Sequence, residues 1–408
     1  MPRIPYSLIL RARRIDPLLP LLLRECRDLC SARNELRWLT EFAQSRDAGV
    51  RPGWRRKRRL RLQSLVKQRA AGKPLQYILG DQPFGDLEIL CKEGVLIPRP
   101  DTESYTTRIA QRLLASYQNQ PGRTIRIIDL CTGTGCIPLL LHSLLAPSMP
   151  NISIVGVDIS PIALALAKKN LEHNIQNGSL LSRARDEVQF VQADILAPHT
   201  LDPDGSELGA LLASPPDTPS DQGQVHGWDL LISNPPYISP YEFANGTTKR
   251  SVRLYEPTLA LVPPPIQRSN MSHTATTSNS VRADSFYPRL LDISAQLGAR
   301  FTVLECGDLA QARRVAALTG DPSLSRNTGS EVNKKTEIWR CDWDIYAHDG
   351  ASPSNNSIDE SELGPTTTME DSHDRDHGPR MTAESGARAV VVSRCQPRDE
   401  DGPSQYNT

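Results

Sequence analysis

Thr124-Ile125-Arg126-Ile127-Ile128-Asp129-Leu130-Cys131-Thr132-Gly133-Thr134-Gly135-Cys136 is an apolar run of strand length that ends in a turn carrying two glycines, with a helical pattern from Ile137 onward. Glycines at such a corner let the backbone approach a ligand closely, and the helix that follows offers free N–H groups. Alone, a Gly-x-Gly is a weak sign, because short glycine turns also serve packing. The next unit strengthens it. Ser153–Ile159 reads as a strand, Ser160 as an N-cap and Pro161 as the first helical residue. Asp158 lies near that strand's end, 23 residues after Gly135, where a carboxylate accepts hydrogen bonds from ribose hydroxyls. Its bland reading is a turn former. Val188–Ala193 is a third strand, followed by Asp194, a candidate acceptor for an adenine amino group or simply a loop cap. Asp229–Ser233 and Arg300–Glu305 are further strands. Strands alternating with helices predict an α/β fold with a parallel, doubly wound sheet. The two signals in one β-α-β unit point to an adenosine-type ligand, without separating a dinucleotide from S-adenosylmethionine.

The stretch that decides the chemistry is Asp229-Leu230-Leu231-Ile232-Ser233-Asn234-Pro235-Pro236-Tyr237-Ile238. Two prolines in succession fix φ and leave a carbonyl that no strand ladder uses. Asn234 sets an amide oxygen beside it. Together they offer two acceptors to one NH2 group, which is what methylation of a planar nitrogen needs: the group must be held while it turns tetrahedral. Tyr237 supplies a ring to pack on a flat substrate. The bland alternative is a Pro-Pro turn after a strand.

Outside this core the chain changes character. It has 408 residues, 38 % hydrophobic and 23 % charged, with 33 prolines. That is long enough for more than one domain of ~100–150 residues, and proline exceeds its ~5 % average. No apolar run nears the ~20 residues of a membrane helix; Leu18 to Leu23 is broken by Pro20. The eight cysteines form no Cys-x-x-Cys pair, so neither a zinc knuckle nor a disulfide-stapled module is indicated, and a reducing compartment is the simplest reading. The Asn-x-Ser/Thr matches at Asn151, Asn245, Asn270 and Asn355 are read as unmodified for want of a secretion signal.

The net charge of zero hides an asymmetry. Residues 1–73 carry 19 Lys and Arg against 6 Asp and Glu. The excess peaks at Trp54-Arg55-Arg56-Lys57-Arg58-Arg59-Leu60-Arg61, which reads either as a contact for RNA or the ribosome within 51–69 or as a solvated helix face. Leu36, Leu39, Phe42 and Ala43 share one helical face, with Ser31 as the expected N-cap, so the first ~75 residues read as a small helical domain. Gly80 to Pro100 reads as a hairpin or linker. Residues 197–227 and 263–284 are rich in turn-formers and read as surface insertions. Residues 346–386 hold nine acids and almost no large apolar side chains, which predicts a disordered insertion. Val390-Val391-Val392 beyond it signals a strand, so this acidic stretch should separate two final strands.

At these residues the chain resembles the HemK-type protein-glutamine N5-methyltransferases, which modify the Gly-Gly-Gln tripeptide of peptide-chain release factors. The resemblance covers Pro74-Leu75-Gln76-Tyr77-Ile78-Leu79-Gly80, Val95-Leu96-Ile97-Pro98-Arg99-Pro100-Asp101-Thr102-Glu103, the Asn-Pro-Pro-Tyr stretch, Tyr255-Glu256-Pro257 and Leu304-Glu305-Cys306-Gly307. It implies a seven-stranded class I methyltransferase (Rossmann-like) sheet, order 3-2-1-4-5-7-6 with one antiparallel strand, behind a helical substrate-recognition domain. The implied boundaries are 1–79 for that domain, 80–103 for the joining segment and 104–408 for the catalytic domain. S-adenosylmethionine is the implied cofactor. Cys131, Thr132, Gly133, Thr134 and Gly135 should wrap its methionine part, Asp158 its ribose, and Asp194 with Ile195 its adenine edge, with Asp129 also among the cofactor-binding residues. Asn234 and the Pro235 carbonyl should hold the substrate amide, with Pro236 and Tyr237 shaping the slot and Asn234 also bordering the cofactor. No metal is implied. The family usually has Gly where Cys131 stands, and a side chain there costs on the order of 1 kcal/mol if φ is positive.

The implied partner is a release factor, served by a monomer. The Arg-rich start, with Arg3, Arg11, Arg13 and Arg14 and no acid before Asp16, leans toward mitochondria over the cytoplasm. Two rival functions use the same residues: an adenine-N6 methyltransferase acting on DNA or RNA, and a non-catalytic scaffold of this fold.

Overall fold

The computed structural model describes residues 3–45, 54–118, 120, 122–203, 206–213, 227–265, 279–320, 334–341, 386 and 388–394. It begins with five helices: α1 (Tyr6–Ile15), α2 (Leu19–Cys26), α3 (Leu29–Ser45), α4 (Trp54–Ala70) and α5 (Leu75–Leu79). Pro20 falls in the first turn of α2, where no backbone N–H is needed, so it starts this helix rather than breaking it. Leu19, Leu22 and Leu23 then meet Ala32, Leu39 and Ala43 of α3 and Leu65 and Val66 of α4 in a core of their own. The start of α3 differs from expectation. Asp28, not Ser31, does the capping: its Oδ1 accepts the Ser31 N–H at 2.8 Å. Arg69 of α4 reaches back to Glu35 of α3 at 2.7 Å. Gly80 closes α5 at φ 101°, a left-handed position that favours glycine.

Strands β1 (Asp81–Phe84) and β2 (Leu87–Leu90) pair as an antiparallel hairpin. This hairpin is no mere linker. Phe84, Leu87 and Ile89 are buried in the same core as the first sheet strand. Helix α6 (Pro100–Tyr117) follows and starts earlier than the expected domain boundary, so Thr102 sits in its first turn.

The chain then lays down β3 (Thr124–Leu130), α7 (Cys136–Leu145), β4 (Asn151–Asp158), α8 (Pro161–Gln176), α9 (Ala184–Glu187), β5 (Val188–Gln192), α10 (Glu207–Ala213) and β6 (Leu230–Ser233). Short helices α11 (Pro240–Asn245), α12 (Arg250–Tyr255) and α13 (Asn279–Ala283) lead to α14 (Tyr287–Gln296), β7 (Phe301–Cys306), α15 (Leu309–Leu318), β8 (Lys334–Arg340) and β9 (Arg388–Arg394). Seven strands form one sheet in the order β5-β4-β3-β6-β7-β9-β8, which is 3-2-1-4-5-7-6 when counted from β3. Only β9 runs against its neighbours, pairing Val390 with Leu304 on one side and with Ile338 on the other.

Side chains alternate along each strand. Ile125, Ile127 and Ile154 face α6, α7 and α8; Ile128, Leu130 and Val155 face α10, α14 and α15. Two segments expected as surface insertions contribute to the fold. Leu208 and Leu212 of α10 are buried in the second core, and Ala283 of α13 is buried as well. Residues 342–385, which hold most of the acidic stretch, lie outside the described residues, between β8 and β9 in the chain. Ser160 caps α8 as expected, accepting the Ala163 N–H. Among the described residues no helix is long and apolar enough to cross a membrane.

Candidate active site

The strand order reverses between β3 and β6, and the crevice at that switch point is where an open α/β sheet receives its ligand. The turn after β3 stands there in three left-handed residues, with φ 66° at Cys131, 56° at Gly133 and 77° at Gly135. Gly135 is needed twice over, since a Cβ on it would lie 3.0 Å from both Ala167 and Phe190. Thr132 N–H donates to the Val157 carbonyl at 2.9 Å, tying the turn to β4. Ser233 donates its hydroxyl to the Leu130 carbonyl at 2.7 Å, tying it to β6. Asn170 of α8 donates to the Thr134 carbonyl at 2.9 Å and accepts the Leu90 N–H at 2.8 Å, so the hairpin braces the same turn.

A cavity of about 250 Å³ opens over this turn. Cys131, Thr132, Gly133, Thr134, Asp158, Asp194, Ile195, Asn234 and Pro236 all border it. Asp158 accepts Gly133 N–H at Oδ2 and Ser160 N–H at Oδ1, both at 2.8 Å. Burial nevertheless pushes its pKa up. Asp194 accepts the Leu196 N–H at 2.9 Å. Gly135 and Asp129 do not line the cavity, and Pro235 lines neither this cavity nor the one beside it. Asp129 is fully buried, and among the described residues the Thr132 hydroxyl is the group beside its carboxylate, with no well-formed hydrogen bond to either oxygen. Burial drives the Asp129 pKa well above the usual carboxylate range; the Thr132 hydroxyl opposes this and the charge of Asp158 adds to it. A buried carboxyl next to a glycine turn is suited to a cationic ligand group.

A second cavity, about 850 Å³, adjoins the first. Asn234 and Arg99 border both, and Tyr237 borders the second. The Asn234 side-chain NH2 donates to Thr102 Oγ1 at 3.3 Å. Thr102 donates its own proton to Glu305 Oε2 at 2.7 Å, and Tyr237 donates to Glu305 Oε1 at 3.0 Å. Burial raises the pKa of Glu305 and, helped by that carboxylate, lifts the Tyr237 phenol well above its ordinary value.

No family model matches the chain. Curated relatives do. Over 262 residues it is 38 % identical to the mitochondrial MRF1 N(5)-glutamine methyltransferase MTQ1 of Saccharomyces cerevisiae, covering 64 % of this chain and 68 % of that protein. Over 328 residues it is 31 % identical to the probable MRF1 mitochondrial N(5)-glutamine methyltransferase of Schizosaccharomyces pombe, covering 80 % of this chain and 92 % of that protein. The chain belongs to the release-factor glutamine methyltransferase family. A bacterial member, the release factor glutamine methyltransferase of Haemophilus influenzae, is 34 % identical over 185 residues, 44 % of this chain and 51 % of that one. Among solved structures, the N-terminal domain of human METTL16 in complex with SAH has a TM-score of 0.37 at 14 % identity, over 80 % of this chain and 83 % of that one.

In this methyltransferase the glycine turn, Asp158, Asp194 and Asn-Pro-Pro-Tyr come together at the carboxyl ends of β3, β4, β5 and β6, as the alternation of strands and helices predicts. In the sequence, Thr102, Arg99, Glu256 and Glu305 stand out only as parts of the segments that resemble the family. They stand between 22 and 135 residues from Asn234, and no spacing rule marks a hydroxyl in a helix or a carboxylate in a buried strand as an active-site residue.

Proposed function

We propose that this methyltransferase acts in mitochondria, as a monomer, on the glutamine of the Gly-Gly-Gln tripeptide of a peptide-chain release factor, with S-adenosylmethionine as methyl donor. The carrying observation is the position of Asn234: it borders both cavities, and its NH2 is turned to Thr102, which leaves Oδ1 to accept from a substrate. The names of the two yeast relatives and the Arg-rich start support the compartment and the substrate.

The buried Asp129 carboxyl and the Thr132 hydroxyl fit the ammonium end of S-adenosylmethionine, Asp158 its ribose hydroxyls, and Asp194 with Ile195 its adenine edge. When bound, the cofactor supplies a methyl carbon made electrophilic by its sulfonium. Asn234 Oδ1 and the Pro235 carbonyl accept the two N–H bonds of the glutamine carboxamide and stabilise the positive charge that develops on its nitrogen. Pro236 and Tyr237 wall the slot and exclude water. Positioning of this kind is worth ~7–11 kcal/mol in favourable cases. No side chain is assigned as a general base, and the proton leaves to water. Helices α1 to α5, residues 1–79, are assigned to recognition of the release factor. The basic face of α4, with Arg56, Lys57 and Arg59 exposed, is a further candidate contact for RNA or the ribosome.

The test is mass spectrometry of candidate release factors incubated with and without the protein. One added methyl on the Gly-Gly-Gln glutamine is expected. An unmodified glutamine, or methyl transfer to adenine in nucleic acid instead, would overturn the reading.

A further inference from the structure

We propose that Glu305, acting through Thr102, sets which atom of Asn234 faces the substrate. This rests on the function proposed above and names positioning residues that act behind the asparagine.

A carboxamide is nearly symmetric in shape, so packing alone does not choose between its two orientations. Only hydrogen-bond polarity does. One orientation presents Oδ1 to the cavities and accepts the N–H of a substrate amide. The other presents NH2 to NH2, donor against donor, and cannot hold the substrate. The neighbour of Asn234 on its inner side is Thr102 Oγ1, 3.3 Å from Nδ2. A threonine hydroxyl alone would not decide the matter, because it can donate or accept. Here it is committed. Its single proton goes to Glu305 Oε2 at 2.7 Å, so only lone pairs remain for Asn234. The amide must then turn NH2 inward and its oxygen outward. The flipped form would press Oδ1 against an oxygen with no proton to give.

Glu305 is placed to enforce this. It lies on β7, is 1 % exposed, and uses its other oxygen to accept the Tyr237 hydroxyl at 3.0 Å. One buried carboxylate thus fixes both Asn234 and Tyr237, the first and last residues of Asn-Pro-Pro-Tyr. Thr102 comes from the first turn of α6, so the relay spans three separate elements: α6, the segment after β6, and β7.

The test uses the full chain with Thr102→Val, Thr102→Ser and Glu305→Leu. Thr102→Val keeps the shape and removes the hydroxyl. It should lower kcat at least tenfold while cofactor affinity, read by calorimetry, stays within about twofold of wild type. Thr102→Ser should restore kcat to within about threefold. In Glu305→Leu the Thr102 proton is free to turn to Asn234 and pin the wrong orientation, so adding Thr102→Val should raise kcat above that of Glu305→Leu alone. A role in mere stability would make the double variant worse. The exchange rate of the Asn234 side-chain NH2 protons, followed by NMR, reads the orientation without turnover: protected in wild type and Thr102→Ser, unprotected in Thr102→Val. Protection without methyl transfer to any release factor would sink the proposed function and leave the positioning intact. Active wild type with Thr102→Val equal to it, or a double variant worse than Glu305→Leu, would overturn the positioning.

Discussion

Arg99 and Glu256 stand 157 residues apart in the chain and meet at 2.7 and 2.8 Å, the guanidinium donating to both carboxylate oxygens. Glu256 also accepts the Ile97 N–H at 3.3 Å, so the segment before α6 is clamped to the segment after α12. The glutamate side chain is 2 % exposed and the arginine 31 %. Removing one member of a buried pair leaves the other charge without compensation. Glu256→Ala should therefore cost about 3 kcal/mol, seen as a lower urea midpoint with an unchanged slope. A loss under about 0.5 kcal/mol would mean that solvent, not Glu256, holds Arg99.

Asp129 yields a pH prediction whose sign is fixed by its raised pKa. In the folded, ligand-free chain this carboxyl holds its proton at pH values where the unfolded chain has released it. Stability from this group is thus fully present below the ordinary value of 3.8 and is lost as pH rises through the folded value. Asp129→Asn cannot ionise, so its melting temperature should lose that decline and exceed wild type at neutral pH. The same change removes the carboxyl that would give up its proton to pair with a cationic ligand, so cofactor affinity should fall about tenfold or more, in line with ~1.5–3 kcal/mol for hydrogen bonds to charged groups. Melting curves across pH and calorimetry at neutral pH check the two halves separately.

The difference between what was legible in the sequence and what was not is physical. The doubly wound sheet could be read from Thr124 to Ser233 because each buried parallel strand is a short apolar run followed by a turn or a helix. β8 could not be located: Lys334-Lys335-Thr336-Glu337-Ile338-Trp339-Arg340 is an edge strand with one polar face, and its partner among the described residues, β9, lies beyond the acidic stretch. α10 hides among turn-formers because two buried leucines, Leu208 and Leu212, are too few to set up a period. At the site, Asn234 and the glycine turn announce themselves through backbone chemistry. Thr102 and Glu305 act through a single proton and a fold that joins distant segments, which leaves no local pattern.

Cys131 holds φ 66° without being glycine, a strain of ~1–2 kcal/mol. Cys131→Gly relieves it but adds the unfolded-state freedom of glycine, ~0.5–1 kcal/mol, so the net change should stay within about 1 kcal/mol. Cys131→Val, β-branched, should be clearly less stable than either, and equal stability of all three would show that the turn adjusts. The thiol is also held protonated: burial, then the charge of Asp158, raise its pKa well above the ordinary value. Alkylation at pH 8 should therefore label exposed Cys30 long before Cys131, as peptide mapping would read.

Asn234→Ala separates binding from chemistry. The glycine turn is held by β4, β6 and α8 through backbone carbonyls of Val157, Leu130 and Thr134, none of which depends on Asn234. Cofactor affinity should therefore change by no more than about threefold. The substrate nitrogen, however, loses an acceptor aimed at charge that appears only as the methyl arrives, and removing one such preorganised group costs ~10²–10³ in turnover. Single-turnover methyl transfer at saturating release factor should fall by that factor, with KM for the release factor changing far less. A loss confined to KM would place Asn234 in ground-state binding alone, and an equal loss of cofactor affinity would place it in the wrong cavity.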